Sequence, residues 1–344
     1  HFKRTTRVIF LINTKRNGRR FVYALSTLLL VIVSASSSAQ SEFELYGRAD
    51  ISVNRVNMDA LLPRPKEWQL NGNASRIGFR GSYQLTDAIE LIYQVESEIN
   101  FDDDYSLAAR GKDTVEQRNT FAGIQGNFGR IIAGRHDTPI KTAGREVDRF
   151  NDQVLADVKS FLEGEDRVSD LIMYTTPIWM GFSATAVIIT EEDSSKNPRA
   201  SGLGDGSSMS LNYSNDYVTA AIAVNDNIDK QDLIRLMTNF YVGSTEVGFI
   251  WQRTERIDIS AEEKSWFVSA EHRINPRWRI KGQYGKTDYS QLANEDQQVA
   301  LGLDRIINNN AFVFVNYVAV DRDKTLDSYT DFSIAIGFQI RFQF

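Results

Sequence analysis

The residues best placed to act on a solute are charged side chains set at alternate positions within short apolar runs. In FELYGRADISV, residues 43–53, Phe43, Leu45, Gly47, Ala49, Ile51 and Val53 share one parity, while Glu44, Tyr46, Arg48, Asp50 and Ser52 share the other. Arg76, Arg80 and Ser82 alternate with Ile77, Phe79 and Tyr83. Glu90, Gln94, Glu96 and Glu98 alternate with Ile89, Leu91, Tyr93 and Val95, and Arg277, Arg279, Lys281 and Gln283 with Trp278, Ile280 and Tyr284. Successive side chains leave a strand on opposite faces, so each run sorts charge to one side and grease to the other. Arg48, Arg76, Arg80 and Arg135 form a candidate basic wall. Asp148, Asp152, Asp157 and Glu163, with Glu165 and Asp166, form its candidate acidic counterpart in the 137–167 segment. Such groups facing one another across a narrow wet passage create a transverse field that orients dipolar solutes and sets ion preference. The chemistry is filtering; no bond is made or broken.

Nothing in the chain suggests a catalytic group, a cofactor or a metal. There is no cysteine, and His1, His136 and His272 are far apart with no ligand spacing around them. A membrane hydrolase would need a serine close to a histidine and an acid or amide partner on the lipid-facing surface. Only His272 falls on such a face, and no nucleophile motif accompanies it.

The elements that must hold these charges are strands. The closing stretch DFSIAIGFQIRFQF, residues 331–344, puts Phe332, Ile334, Ile336, Phe338, Ile340, Phe342 and Phe344 on one face. Sixteen such segments are read, near 42–54, 75–84, 88–99, 117–126, 129–136, 168–176, 180–189, 207–214, 217–225, 231–242, 245–254, 265–274, 277–287, 297–307, 311–320 and 331–344. Long and short gaps alternate between them, which places all tight turns at one end of an up-and-down meander. Phe128, Trp179, Phe182, Tyr213, Tyr217, Tyr241, Trp278, Phe312 and Phe344 fall near that end, as an interfacial girdle would. An open sheet cannot sit in hydrocarbon with unpaired edges, so the sheet must close. The expected fold is all-β: a 16-stranded antiparallel transmembrane β-barrel, too wide to be filled by its own wall.

The start of the chain fits export. Seven bases and no acid precede residue 21; an apolar run, FVYALSTLLLVIV, and SASSSAQ follow. Residues 1–39 therefore read as a cleaved signal peptide and 40–344 as a single barrel domain. Without the leader, 32 bases stand against 45 acids, a net charge of −13. That balance argues against a nucleic-acid partner and tilts the pore towards cations, although basic wall and acidic loop oppose each other.

Several stretches resemble the general diffusion porins of Gram-negative outer membranes: FELYGRADISV at 43–53, SRIGFRGSYQL at 75–85 and QRNTFAGIQGNFGRIIAGRHDTP at 117–139. Phe344 on its alternating strand resembles that family's C-terminal signal for the outer-membrane barrel assembly machinery. The resemblance implies a homotrimer in the cell outer membrane, in contact with lipid and lipopolysaccharide. It implies short periplasmic turns, long outer loops and a third loop, 137–167, folded into the pore. It also implies passive diffusion of small hydrophilic solutes and ions, without cofactor or enzymatic activity. A substrate-specific channel or a surface receptor barrel is the alternative. The third loop lacks the Gly-rich acidic motif of the enterobacterial members, so its acids cannot be matched one by one.

Overall fold

The computed structural model describes residues 41–57, 67–101, 113–190, 203–257, 261–290, 294–324 and 327–344; the leader read at 1–39 lies outside them. The strands are β1 (Ser41–Asn57), β2 (Glu67–Asn71), β3 (Arg76–Thr86), β4 (Ile89–Ile99), β5 (Val115–Gly126), β6 (Gly129–Asp137), β7 (Arg167–Thr175), β8 (Phe182–Thr190) and β9 (Leu203–Ser214). They continue with β10 (Val218–Ile228), β11 (Gln231–Val242), β12 (Thr245–Arg256), β13 (Ala261–Asn275), β14 (Trp278–Tyr289), β15 (Asn294–Asn308), β16 (Ala311–Lys324) and β17 (Asp327–Gln343). From β3 onward each strand pairs antiparallel with the next. β17 closes the ring on β1, from Tyr46 opposite Gln343 to Asn57 opposite Phe332. Closure leaves no strand edge to be satisfied in lipid.

β2 and β3 both pair with β1, so they are one stave interrupted at residues 72–75, and the barrel has sixteen staves. The 67–71 piece lies in what the alternation pattern left as a loop, because EWQLN is too short to show a period. At the break Asn73 (φ 36°) and Ala74 (φ 49°) are left-handed, a conformation available to asparagine and costly for alanine.

Two-residue turns at 87–88, 127–128, 243–244, 276–277 and 309–310 lie at one end. At the other end the strands run further than alternation marked. β10 and β11 are joined only by Asp229 and Lys230, both at positive φ (49° and 60°), as a type I′ turn requires. The longest connection within the described residues, 138–166, turns into the barrel.

Burial follows parity. In β17, Ile334, Ile336, Phe338 and Ile340 are exposed, while Asp331, Ser333, Ala335 and Gln339 are buried inside. A charge on the outer face would cost about 2–4 kcal/mol at mid-membrane, and none stands among these four. At the turn end Phe128, Trp179, Phe182, Tyr217, Trp278 and Phe344 are exposed, as the girdle reading expects. Tyr241 and Phe312 are not part of it. Tyr241 points inward and donates to Glu146 (2.7 Å), and Phe312 lies inside beneath the Arg279 guanidinium (5.4 Å). Nearness to a turn sets a ring's height along the barrel; only register sets its face.

The barrel interior is partly dry because the third loop packs against it. Helix α1 (Pro139–Gly144) lays Ile140 and Ala143 on Ala221, Ala223 and Leu233. Val147, Val158, Phe161 and Leu162 then cluster with Met237, Ile250 and Phe267, and Phe150 and Ala156 with Ala300, Val318 and Val320. The wall makes room with glycine. A Cβ on Gly285 would lie 2.6 Å from a ring carbon of Phe161, and one on Gly302 2.8 Å from Phe150. Gly285→Val is therefore expected to unseat Phe161, lowering stability by about 1–3 kcal/mol and raising conductance. Thermal unfolding in detergent and single-channel recording check both.

Candidate functional site

Backbone carbonyls of the third loop are caught by side chains of the far wall, which fixes its path. Ser269 donates to Val147 O (2.5 Å), Gln283 to Ala156 O (2.5 Å) and Gln298 to Leu155 O (2.6 Å). The returning limb is held by Arg235, which is fully buried. Its guanidinium donates to Gln252 Oε1 (2.8 Å), Ile140 O (3.1 Å), Glu165 Oε1 (2.6 Å) and Glu163 O (2.9 Å).

The loop tip crosses to the opposite wall at Asp152, whose own φ is 67°. Its carboxylate meets Arg48 directly and Arg76 at 3.0 Å. Arg48 is held from behind by the 72–75 break, donating to Asn73 O (3.0 Å) and Ala74 O (3.2 Å). From Arg76 a ladder of alternating charge runs along the wall: Glu96 (3.8 Å), then Arg118 (2.7 Å), then Glu98 (2.6 Å). Burial pushes Asp152 up, but Arg48 and Arg76 overcome it and hold the carboxyl well below the usual carboxylate range.

The residues named from the sequence disperse. Arg48 and Arg76 share Asp152. Arg80 lies towards the turn end, bound to Glu44 (2.7 Å) and stacked over Tyr46 (5.1 Å). Arg135 pairs in register with Thr120, on the face that carries exposed Ala122 and Ala133, and donates to Ser169 (2.8 Å). It has no bond to the third loop, since in β6 the even positions, Arg130, Ile132 and Gly134, take the inward face and Arg135 shares the parity of Ala133. Asp148 turns into the loop and accepts the N–H groups of Phe150 (3.0 Å) and Val158 (3.1 Å). Burial, then the neighbouring Asp157, pushes its carboxyl well up. Asp157 caps the short 3-10 turn Val158–Ser160 and accepts from Lys159 N (2.7 Å); burial raises it too. Glu163 reaches Arg256 (3.2 Å) on the outer side. Of the four acids, only Asp152 faces the basic cluster, and it touches it.

Four cations and one acid were not singled out. Lys141 (3.5 Å), Arg145 (2.9 Å) and Arg167 (2.9 Å) converge on the single carboxylate of Asp137, and Lys159 stands beside Asp157 (3.5 Å). Exposure is lopsided across these pairs. The Lys159 side chain is 54% exposed against 3% for Asp157, Arg145 55% against 4% for Asp137, and Arg80 52% against 26% for Glu44. In these three pairs the acid is the more buried partner, whereas Arg149 with Glu246 runs the other way, 7% against 36%. The density of bases in the loop's own sequence, IKTAGREVDR and DVKS, was the available signal.

A closed sixteen-stave barrel, greasy outside and narrowed inside by one charged loop, defines the class of outer-membrane channels. The chain belongs to the Gram-negative porin family, whose model matches residues 25–325. It forms a channel for small solutes in the Gram-negative outer membrane. It is 24% identical over 313 residues to outer membrane porin protein 32 of Delftia acidovorans, covering 85% of this chain and 88% of that one. It is 28% identical over 205 residues to the major outer membrane protein P.IB of Neisseria sicca, covering 55% and 54%. In fold it resembles the anion-selective porin from Comamonas acidovorans (TM-score 0.68, 19% identity, 88% of this chain and 100% of that one). It also resembles the trimer form of the Vibrio cholerae outer membrane protein OmpT (TM-score 0.66, 13% identity, 88% and 99%).

Proposed function

We infer that this porin is a non-enzymatic homotrimer that passes small hydrophilic solutes with a preference for anions. Arg48, Arg76 and Arg118 act as the fixed wall, Lys159 and Arg145 as the exposed filter groups, and Asp152 as the tie between loop and wall. Residues 1–39 serve as the export signal and Phe344 as the assembly signal. The observation that carries the selectivity is the unequal exposure of the ion-pair partners: a passing ion meets Lys159 and Arg145 before it meets Asp157 or Asp137. The net charge of the whole chain points the other way in part because it counts buried acids of the third loop and its root, Asp137, Asp148 and Asp157. A trimeric fold neighbour and an anion-selective one support the reading.

The test is the zero-current potential of the refolded protein in a planar bilayer across a potassium chloride gradient. Chloride is expected to be favoured. Neutralising Lys159→Gln and Arg145→Gln together should cut the chloride-to-potassium permeability ratio roughly fivefold, the order expected for removing two solvent-screened charges from a narrow passage. A potential favouring potassium, or one unmoved by the double substitution, removes these groups from the filter.

A further inference from the structure

Near the turn end the lumen holds a feature that a purely hydrophilic pore does not need. Arg130 stands opposite Gln125 in the β5–β6 register, on the inward face, and lines a cavity of about 790 Å³ together with Ile92, Phe121, Arg80 and the carboxylates Glu42, Glu44 and Glu90, of which Glu44 is tied to Arg80 and Glu90 to Gln125. A second cavity of about 380 Å³, opening towards the turns, is also lined by Arg130 and Gln125. Every other arginine singled out on this stretch of inner wall has a carboxylate: Arg76 has Asp152, Arg80 has Glu44, and Arg118 has Glu96 and Glu98. Arg130 makes no ion pair or side-chain hydrogen bond among the described residues. The one acid lining both cavities, Glu90, accepts from Gln125 at 2.6 Å.

Beside this free guanidinium the wall turns apolar. Ile92 and Phe121 belong to an inward cluster with Ile132, Leu171, Met173 and Val187. Gly123, paired with Ile132, contributes no side chain to cover it. A half-desolvated cation beside a dry aliphatic and aromatic floor is complementary to an anion that carries its own apolar body. A guanidinium grips a carboxylate with two parallel hydrogen bonds, and the floor takes the rest out of water. The cavity is in the size range of small-molecule sites.

We propose that this vestibule binds amphipathic monocarboxylates, with Arg130 taking the carboxylate and Ile92 and Phe121 the aromatic or aliphatic remainder. The site deepens the anion-preferring reading and rests on it: the constriction admits the anion, and the vestibule retains those with an apolar tail.

Conductance of single channels is measured in potassium chloride, acetate and benzoate over a concentration series. Chloride and acetate are expected to give near-linear series, and benzoate a series that saturates. Arg130→Gln should raise the half-saturating benzoate concentration roughly tenfold, the loss expected for one charged hydrogen-bond donor. Phe121→Ser should raise it too, while the thermal midpoint of each variant in detergent and the appearance of discrete conductance steps show that the barrel is folded. Linear behaviour in benzoate, or saturation unchanged in Arg130→Gln, overturns the site. A potassium-favouring zero-current potential with benzoate saturation intact would instead sink the selectivity reading and leave the site standing.

Discussion

Asp152→Asn is expected to produce a less stable channel with a stronger preference for anions. The substitution keeps the shape but strips the charge that Arg48 and Arg76 share. Two guanidiniums are then left facing each other in a largely enclosed site. Removing one partner of a buried ion pair costs about 3–5 kcal/mol, mostly because the remaining charge is uncompensated. The thermal midpoint in detergent should fall, and the zero-current potential should move further towards chloride. The acid dependence has a definite sign. Because the folded carboxyl is held below its ordinary range, its contribution is complete above that range and fades only as pH drops beneath it. The wild-type tie should therefore survive mildly acidic conditions. Conductance that jumps between pH 6 and pH 5 as the loop lets go would contradict this assignment.

Arg235→Met should have the second large effect, and for the opposite limb of the loop. Four acceptors lose a hydrogen bond at once, of which Glu163 O keeps its second donor, Gln252, and Glu165 is left buried without its cation. Burial already raises Glu165 above its usual carboxyl range, and Arg235 opposes that rise. Without the guanidinium the carboxyl must take up a proton or draw in water. A loss of about 3–5 kcal/mol follows from the same reasoning as above. The double variant Arg235→Met with Glu165→Gln separates charge from packing. It should recover a large part of the loss, read as the thermal midpoint, because the uncompensated carboxylate is gone. A double variant no better than the single one would show that Arg235 acts through its hydrogen bonds to Ile140 O and Glu163 O alone.

The wall was legible in the sequence and the loop was not, for a physical reason. A strand has one degree of freedom that matters here, its parity, and lipid on one side enforces it. Arg48, Asp50, Arg76, Glu96 and Lys281 could thus be turned inward from spacing alone. Where a bulge inserts a residue, parity fails. The break at 72–75 is invisible in GNAS, yet it supplies the carbonyls that aim Arg48. Arg135 stands apart from Arg48 and Arg76 because it keeps the parity of exposed Ala133. The third loop has no period at all. Which of its acids reach the wall depends on contacts with residues more than a hundred positions away, such as Gly248 beneath Val147 and Gln298 beneath Leu155. Asp148 and Asp157 could not be told from Asp152 in sequence because all three are aspartates in one loop; two of them brace that loop from within.

The apolar seat of the third loop also orders events during biogenesis. Its plug, from Ile140 to Leu162, is synthesised before the socket, which is supplied by residues from Ala221 to Val320. Until the C-terminal half of the wall exists, Val147, Phe150 and Phe161 have nowhere dry to go, and such exposed grease invites self-association. A chain truncated after β10 would carry the whole cork and, of the bottleneck, only Ala221 and Ala223. Its fate would be aggregation in the periplasm, even with every residue of its N-terminal strands intact.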